Sequence, residues 1–305
     1  IININNATYG KAFYNDGSGE ILNYGRVCID SNCQDADTYN PTDSAISVEY
    51  KDGLLSEAGE TVVLVNNAWI DGEVSNQGTV SGSTIAVEEN GLLTNDATGN
   101  ISNVVRVDDG GEVLNAGTIS GAVTVYGEAK NSGTISGAVN VNTGGTFHNT
   151  GTVSSSSQTI SDNGGTIINE ASGTIHTGLR VYDSAQIINH GQWYADNGKD
   201  FWLQAGSFTN ETDGTMILTG GKNYQGDAGT HLDNKGTITS DGSQGGRTGL
   251  TLGSGGGSLI TNSGTITQTG GSSSLIGTAS DVADDKTDSL FWNQSTGMVM
   301  YNGTN

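Results

Sequence analysis

The sequence is poor in the residues that usually announce a function: it has two cysteines, one proline, four histidines and four arginines. No stretch approaches the roughly 20 apolar residues of a membrane-spanning helix. The opening Ile1-Ile2-Asn3-Ile4-Asn5 lacks the basic and apolar regions of a signal peptide, so any export signal is expected to have been removed already. Basic residues are few, 11 against 33 acidic ones, and the formal charge of −22 sets up a field that repels phosphate backbones and anionic membrane surfaces. Nucleic acid is therefore not an expected partner. The cysteines in Cys28-Ile29-Asp30-Ser31-Asn32-Cys33 stand close together, and no further Cys or His completes a zinc site around them. A short disulfide loop is the expected state, which implies an oxidising or extracellular location, and two buried thiols are the alternative. Hydrophobic residues make up only 33%, beside 48 glycines, a composition that in random order would bury too little apolar area to fold.

The order is not random. One signature recurs: Gly, a variable residue, an apolar residue, a polar or variable residue and Asn, then a short gap followed by Gly, usually Thr, and Ile or Val. Copies are Gly111-Glu112-Val113-Leu114-Asn115 with Gly117-Thr118-Ile119, and Gly165-Thr166-Ile167-Ile168-Asn169 with Gly173-Thr174-Ile175. The second glycine falls at positions 25, 59, 78, 99, 117, 133, 151, 173, 191, 214, 236, 264 and 297, a mean spacing of about 23 residues. No helical period accompanies it, which removes leucine-rich repeats. A third apolar run lies between anchors, as in Leu179-Arg180-Val181 and Phe201-Trp202-Leu203, alternating as a half-buried strand does. Three strands per coil and Gly-rich turns predict a right-handed parallel β-helix of about 13 coils, all-β, forming a single domain over residues 1–305.

Alternation assigns the faces. Two residues before each Asn stand Ile21, Val74, Leu93, Val113, Ala129, Phe147, Ile167, Ile187, Phe208, Leu232, Ile260 and Phe291, all apolar and so inward. The position just before the Asn must then face out, and there the residues are mixed. The Asn residues themselves read as structural, stacking as an amide ladder at the turn. A Thr column after the anchor Gly predicts a flat polar face. Insertions fall at 28–44, 195–200, 219–229, 239–248 and 277–289, on one side of the coil, where solenoids usually bind.

With Asn131-Ser132-Gly133-Thr134-Ile135-Ser136-Gly137-Ala138-Val139-Asn140-Val141 as the clearest copy, the repeats over roughly residues 19 to 299 resemble the passenger regions of bacterial autotransporter adhesins of the AIDA type, which include the antigen 43 group. The resemblance implies a secreted β-helix at a Gram-negative cell surface, joined to the outer membrane through a C-terminal β-barrel that this chain does not contain. It also implies aggregation, biofilm formation or attachment to host glycans or extracellular matrix proteins, with another copy of the same protein as a possible partner. No cofactor is implied. A short cysteine loop is compatible with such export.

The main enzymatic rival is a polysaccharide lyase or hydrolase on the same fold, which needs paired carboxylates or a basic residue poised over the substrate. Asp108-Asp109 and Asp284-Asp285 are the available pairs, and the first precedes two glycines in a turn, where Asp is common. Arg26, Arg106, Arg180 and Arg247 do not cluster in sequence, although coil alignment puts Arg106 and Arg180 in one outward column. No segment outside the repeat offers a serine peptidase fold. His148, His176, His190 and His231 lack ligand spacing, and Asp281, Asp284, Asp285 and Asp288 read as solvated loop carboxylates rather than a calcium site.

Two surface sites are expected. Leu114, Lys130, His148, Ile168 and Ile188 form an outward row suited to self-association or protein contact. On the insertion-bearing side, Tyr194, Asp196, Lys199, Asp200, Trp202, Tyr224, Asp227 and Arg247 are expected to form a glycan groove, because Phe201 and Leu203 turn inward and force Trp202 out.

The cysteine spacing generates one direct prediction. Digestion of the native secreted protein without reduction should release a peptide cross-linked between Cys28 and Cys33. Two alkylatable thiols in that material would refute the pairing.

Overall fold

The computed structural model describes residues 2–3, 27–28, 48–56, 58–59, 61–64, 67–155, 160–195, 200–220, 223–242, 249–253, 257–271, 274–278 and 289–302. Among these residues there is no helix, and none therefore long and apolar enough to cross a membrane. The strands of successive coils pair in parallel, as a right-handed β-helix requires. By packing, the chain divides into two compact units, Ile1–Gly137 and Ala138–Asn305.

In the first unit, Leu92–Asn95, Glu112–Asn115 and Glu128–Asn131 stack in register, Val113 on Leu93 and Ala129. These form the second stack of the coil; Ile85–Val87, Val105–Val107 and Val123–Val125, which precede them in each coil, form the first, and Thr79–Gly82, Asn100–Ile101, Thr118–Ile119 and Thr134–Ile135 the third. One anchor departs from the expected spacing. Thr61 pairs with Thr79, so Gly59 stands one residue ahead of the place that Gly78 occupies.

The second unit repeats the pattern. Leu179–Val181, Phe201–Leu203, Tyr224–Gly226 and Leu250–Leu252 form its own first stack, and Gln186–Asn189, Ser207–Asn210, His231–Asn234 and Leu259–Asn262 its second. Thr174–His176, Gln192–Ala195, Thr215–Leu218, Thr237–Ser240 and Thr265–Gln268 belong to the third. Phe147, Ile167, Ile187, Phe208, Leu232 and Ile260 are buried, as the column reading requires. Trp193, Phe201 and Phe208 meet in the core with ring centroids 5.5–5.8 Å apart, and the Trp193 indole N–H donates to the Thr177 carbonyl at 2.9 Å. Each side chain is thus both apolar filler and, for Trp193, a satisfied donor.

The asparagines form the expected ladder inside the coil. In the first unit Asn76 donates its amide to Asn95 Oδ1, Asn95 to Asn115 and Asn115 to Asn131, at 2.6–2.7 Å. In the second unit the series runs from Asn149 through Asn169, Asn189, Asn210, Asn234 and Asn262 to Asn293, at 2.7–2.8 Å. The same amides reach the carbonyls of the next glycine, as Asn189 does to Gly191 at 3.2 Å. Glycine is needed there by close approach: a Cβ on Gly173 would collide with the Asn149 carbonyl oxygen and with Asn169 Oδ1.

Replacing Asn189 by Ala should strip the Asn169 amide of its shortest hydrogen bond and leave Asn210 Oδ1 and the Gly191 and Thr215 carbonyls without this donor. The expected loss is about 2–4 kcal/mol in urea unfolding. Asn293→Ala, at an exposed rung, should lower stability by under about 1 kcal/mol. Equal effects at the two positions would contradict a buried ladder.

Candidate functional site

The outward face of the first stack in the second unit carries the chemistry. Leu179, Val181, Phe201 and Leu203 are fully buried, so alternation turns Arg180 and Trp202 outward, and the parallel register sets them side by side. Strands in a sheet lie about 4.8 Å apart, and the Arg180 guanidinium sits 4.7 Å from the Trp202 ring centroid. The next residue in the column is Gln225, followed by Thr251. Asp227 fixes this group: Trp202 Nε1 donates to Asp227 Oδ2 at 2.9 Å and Gln225 Nε2 to Oδ1 at 3.2 Å. Just past the same end of its own strand, Arg180 is followed by Tyr182, to whose hydroxyl Arg180 Nη1 donates at 3.3 Å.

The expected groove is only partly assembled by this geometry. Trp202 and Asp227 come together, and Asp200 lies next to Phe201, accepting the Asn223 backbone N–H at 3.3 Å. Tyr224 is a correction to the expected placement. It pairs with Phe201, an inward position, and is 1% exposed; its hydroxyl shares a hydrogen bond with Thr230, and burial pushes its phenol above the ordinary value. Tyr194 is likewise apart from Trp202. It lies in the third stack, with its ring on His176 at a centroid distance of 4.3 Å and its hydroxyl donating to Gln192 Oε1 at 2.6 Å. Asp196, Lys199 and Arg247 lie outside the described residues. Arg180, Tyr182 and Gln225 were absent from the expected set. Arg180 was legible as an outward residue one coil before Trp202, but the sequence alone does not show that the two side chains stack.

The other expected row divides between the units. Leu114 pairs with Lys130 in the first unit; the Lys130 ammonium is held by Glu112 at 2.7 Å and Glu128 at 3.1 Å, and these hydrogen bonds raise its pKa. In the second unit His148, Ile168 and Ile188 follow one another in register, half-buried, with Glu170 Oε1 3.1 Å from His148 Nδ1.

Of the candidate carboxylate pairs, Asp108 is bound by Arg106 at 2.7 Å and Asp109 is exposed in the turn, whereas Asp284-Asp285, Asp281 and Asp288 lie outside the described residues. Cys28 lies in a strand that pairs with Ile2–Asn3, and Cys33 lies outside the described residues. His190 is paired with Asp213 at 2.8 Å, a hydrogen bond that lowers the Asp213 pKa, and His231 Nε2 lies 3.1 Å from Thr261 Oγ1. Among the described residues, no three His, Cys, Asp or Glu side chains gather as metal ligands do.

Three-strand coils closed by an inward asparagine ladder make the chain a right-handed parallel β-helix, whose repeats resemble those of bacterial autotransporter passengers. It belongs to the family of the BigA fourth domain, whose model matches residues 130–305. Among solved structures it is similar to the TibC-catalyzed hyper-glycosylated TibA55-350 fragment, at 16% identity, with 85% of this chain and 93% of that chain covered and a TM-score of 0.35. No curated protein matches the chain.

The opposite orientations of Tyr224 and Trp202 are separable by mutation. Tyr224→Ala should cost about 3–5 kcal/mol in urea unfolding, as for other large aromatics removed from a core. Trp202→Ala should cost only about 1 kcal/mol, the order of an exposed cation–π pair. The reverse ranking would overturn the assignment of faces.

Proposed function

We propose that the chain is a non-catalytic adhesive module at the surface of a Gram-negative bacterium, attached or released, and that it grips glycans through the outward face around Trp202. The single observation carrying this reading is the Trp202 indole, held outward on a sheet face between Arg180 and Asp227. Aromatic faces take the C–H surfaces of sugar rings while neighbouring polar groups bond their hydroxyls. The resemblance to autotransporter passengers supports the location. On this face binding is favoured over acid–base chemistry because both oxygens of Asp227 are engaged, by Trp202 and Gln225. A free general acid or nucleophile would need a carboxyl not already committed in this way.

Self-recognition between copies is the second reading, favoured by the adjacency of Ile168 and Ile188 on an outward row. One experiment separates the two. The chain is displayed on non-aggregating cells, which are scored in parallel for settling and for attachment to immobilised glycans and matrix proteins, while purified protein is incubated with a polysaccharide panel. Glycan attachment that falls about tenfold or more with Trp202→Ala is expected, equivalent to roughly 1.4 kcal/mol. Settling alone, lost with Ile168→Lys and Ile188→Lys together, would move the function to self-association. New reducing ends or unsaturated products would sink the adhesive reading.

A further inference from the structure

Two arginines occupy equivalent outward positions, each in the first stack of its own unit, and they are satisfied differently. In the first unit Arg106 lies 5.6 Å from the Trp69 ring centroid and donates from Nη2 to Asp108 Oδ2 at 2.7 Å. In the second unit Arg180 lies over Trp202, but two residues further on, where Asp108 follows Arg106, the sequence has Tyr182. The Tyr182 ring centroid is 6.0 Å from the Arg180 guanidinium and its hydroxyl accepts one N–H.

Acidic residues outnumber basic ones three to one here, 33 against 11, so an unaccompanied cation needs an explanation. Among the cations whose side chains are described, Arg106, Lys130 and Lys235 each hold a carboxylate at 2.7–2.9 Å. Among the described residues Arg180 has no carboxylate at ion-pair distance. Asp227, on the same surface, already accepts from Trp202 and Gln225. A guanidinium presents five N–H donors in a planar fork that matches a carboxylate, and stacking on an aromatic ring leaves its edge available.

We propose that Arg180, Trp202 and Tyr182 form a subsite for a carboxylate-bearing sugar, a uronic or sialic acid residue of a glycan. Arg180 takes the ligand's carboxylate as Arg106 takes Asp108. Trp202, its indole N–H tied to Asp227, holds the guanidinium plane in place, and the Tyr182 ring, in a residue 43% exposed, offers its face to the sugar. The inference rests on the glycan-adhesion reading and adds the sign of the ligand's charge. The negative charge of the whole chain opposes anions only at long range, since screening at physiological salt acts over about 8 Å. Single contacts are consequently weak, and a repeated acidic sugar gains by avidity.

The test uses the full chain on a sensor surface at about 0.15 M salt, with sialyllactose and a glucuronate-containing oligosaccharide as probes, and lactose and the glucuronate methyl ester as their neutral counterparts. The acidic probes should bind about tenfold or more tightly than the neutral ones, the order expected for a charge-assisted pair. Arg180→Ala should erase that preference. Tyr182→Asp should erase it too, by supplying Arg180 with the internal carboxylate that Arg106 already has, and Arg106→Ala should leave it intact. Thermal melts of all variants should match the parent. Preference for one acidic probe over the other identifies the source of the carboxylate and supports the subsite either way. Neutral sugars bound as well as acidic ones, or an Arg180→Ala variant that keeps the preference, would overturn the subsite and leave glycan adhesion standing. No binding of any glycan would overturn both.

Discussion

Everything in this chain depends on each coil saturating the hydrogen bonds of its neighbour. A chain with 33% hydrophobic residues cannot rely on a thick core, and each coil alone would expose almost everything it buries in the stack. The backbone ladder of parallel strands meets part of this need, and the inward asparagines meet the rest at the corner where the chain turns between the second and third strands. A buried amide left without partners is destabilising by about 1–3 kcal/mol, so the ladder works only if every rung is present. The glycine that follows each rung belongs to the same constraint, because the asparagine above it and the carbonyl below occupy the space of a side chain.

Once the inward positions are committed, the outward ones are free to vary, and function is confined to them. Parallel in-register pairing then does something that loops seldom do: it sets residues about one coil apart in sequence side by side at strand spacing. Arg180 and Trp202 become neighbours for this reason, and so do Ile168 and Ile188. A surface of this kind is assembled by the periodicity itself, with rigid strands rather than mobile segments holding each side chain.

How much of this was legible in the sequence follows from the same geometry. The apolar column through Ile167, Ile187 and Phe208 and the asparagine column two residues on were readable because each coil repeats them at fixed offsets from glycine. Tyr224 was not readable in the same way: Asn223 and Gln225 flank it, both polar, and no glycine anchor fixes its offset, so only the pairing with Phe201 shows that it faces inward. A slip of one residue exchanges the two faces of a strand. Tyr194 was drawn toward Trp202 by nearness in the chain, whereas the coil turns a corner between them and puts them in different stacks. The contrast between Asp108 and Tyr182 was visible as letters, but it acquired meaning only when Arg106 was seen to hold its carboxylate.

The asparagine ladder also gives the stack an arrow. Within each unit every rung donates its hydrogen bond toward the higher-numbered coil, from Asn76 to Asn131 in one and from Asn149 to Asn293 in the other. At the low-numbered end of the first series, Asn76 Oδ1 is buried without a hydrogen-bond partner among the described residues, and the register sets position 56, a serine rather than an asparagine, beside it. One end of such a series asks for a donor and the other for an acceptor. A coil can therefore join only in one sense, and two like ends brought together would set matching groups against each other. The stack behaves as a directed polymer, with a grammar of order as well as of composition.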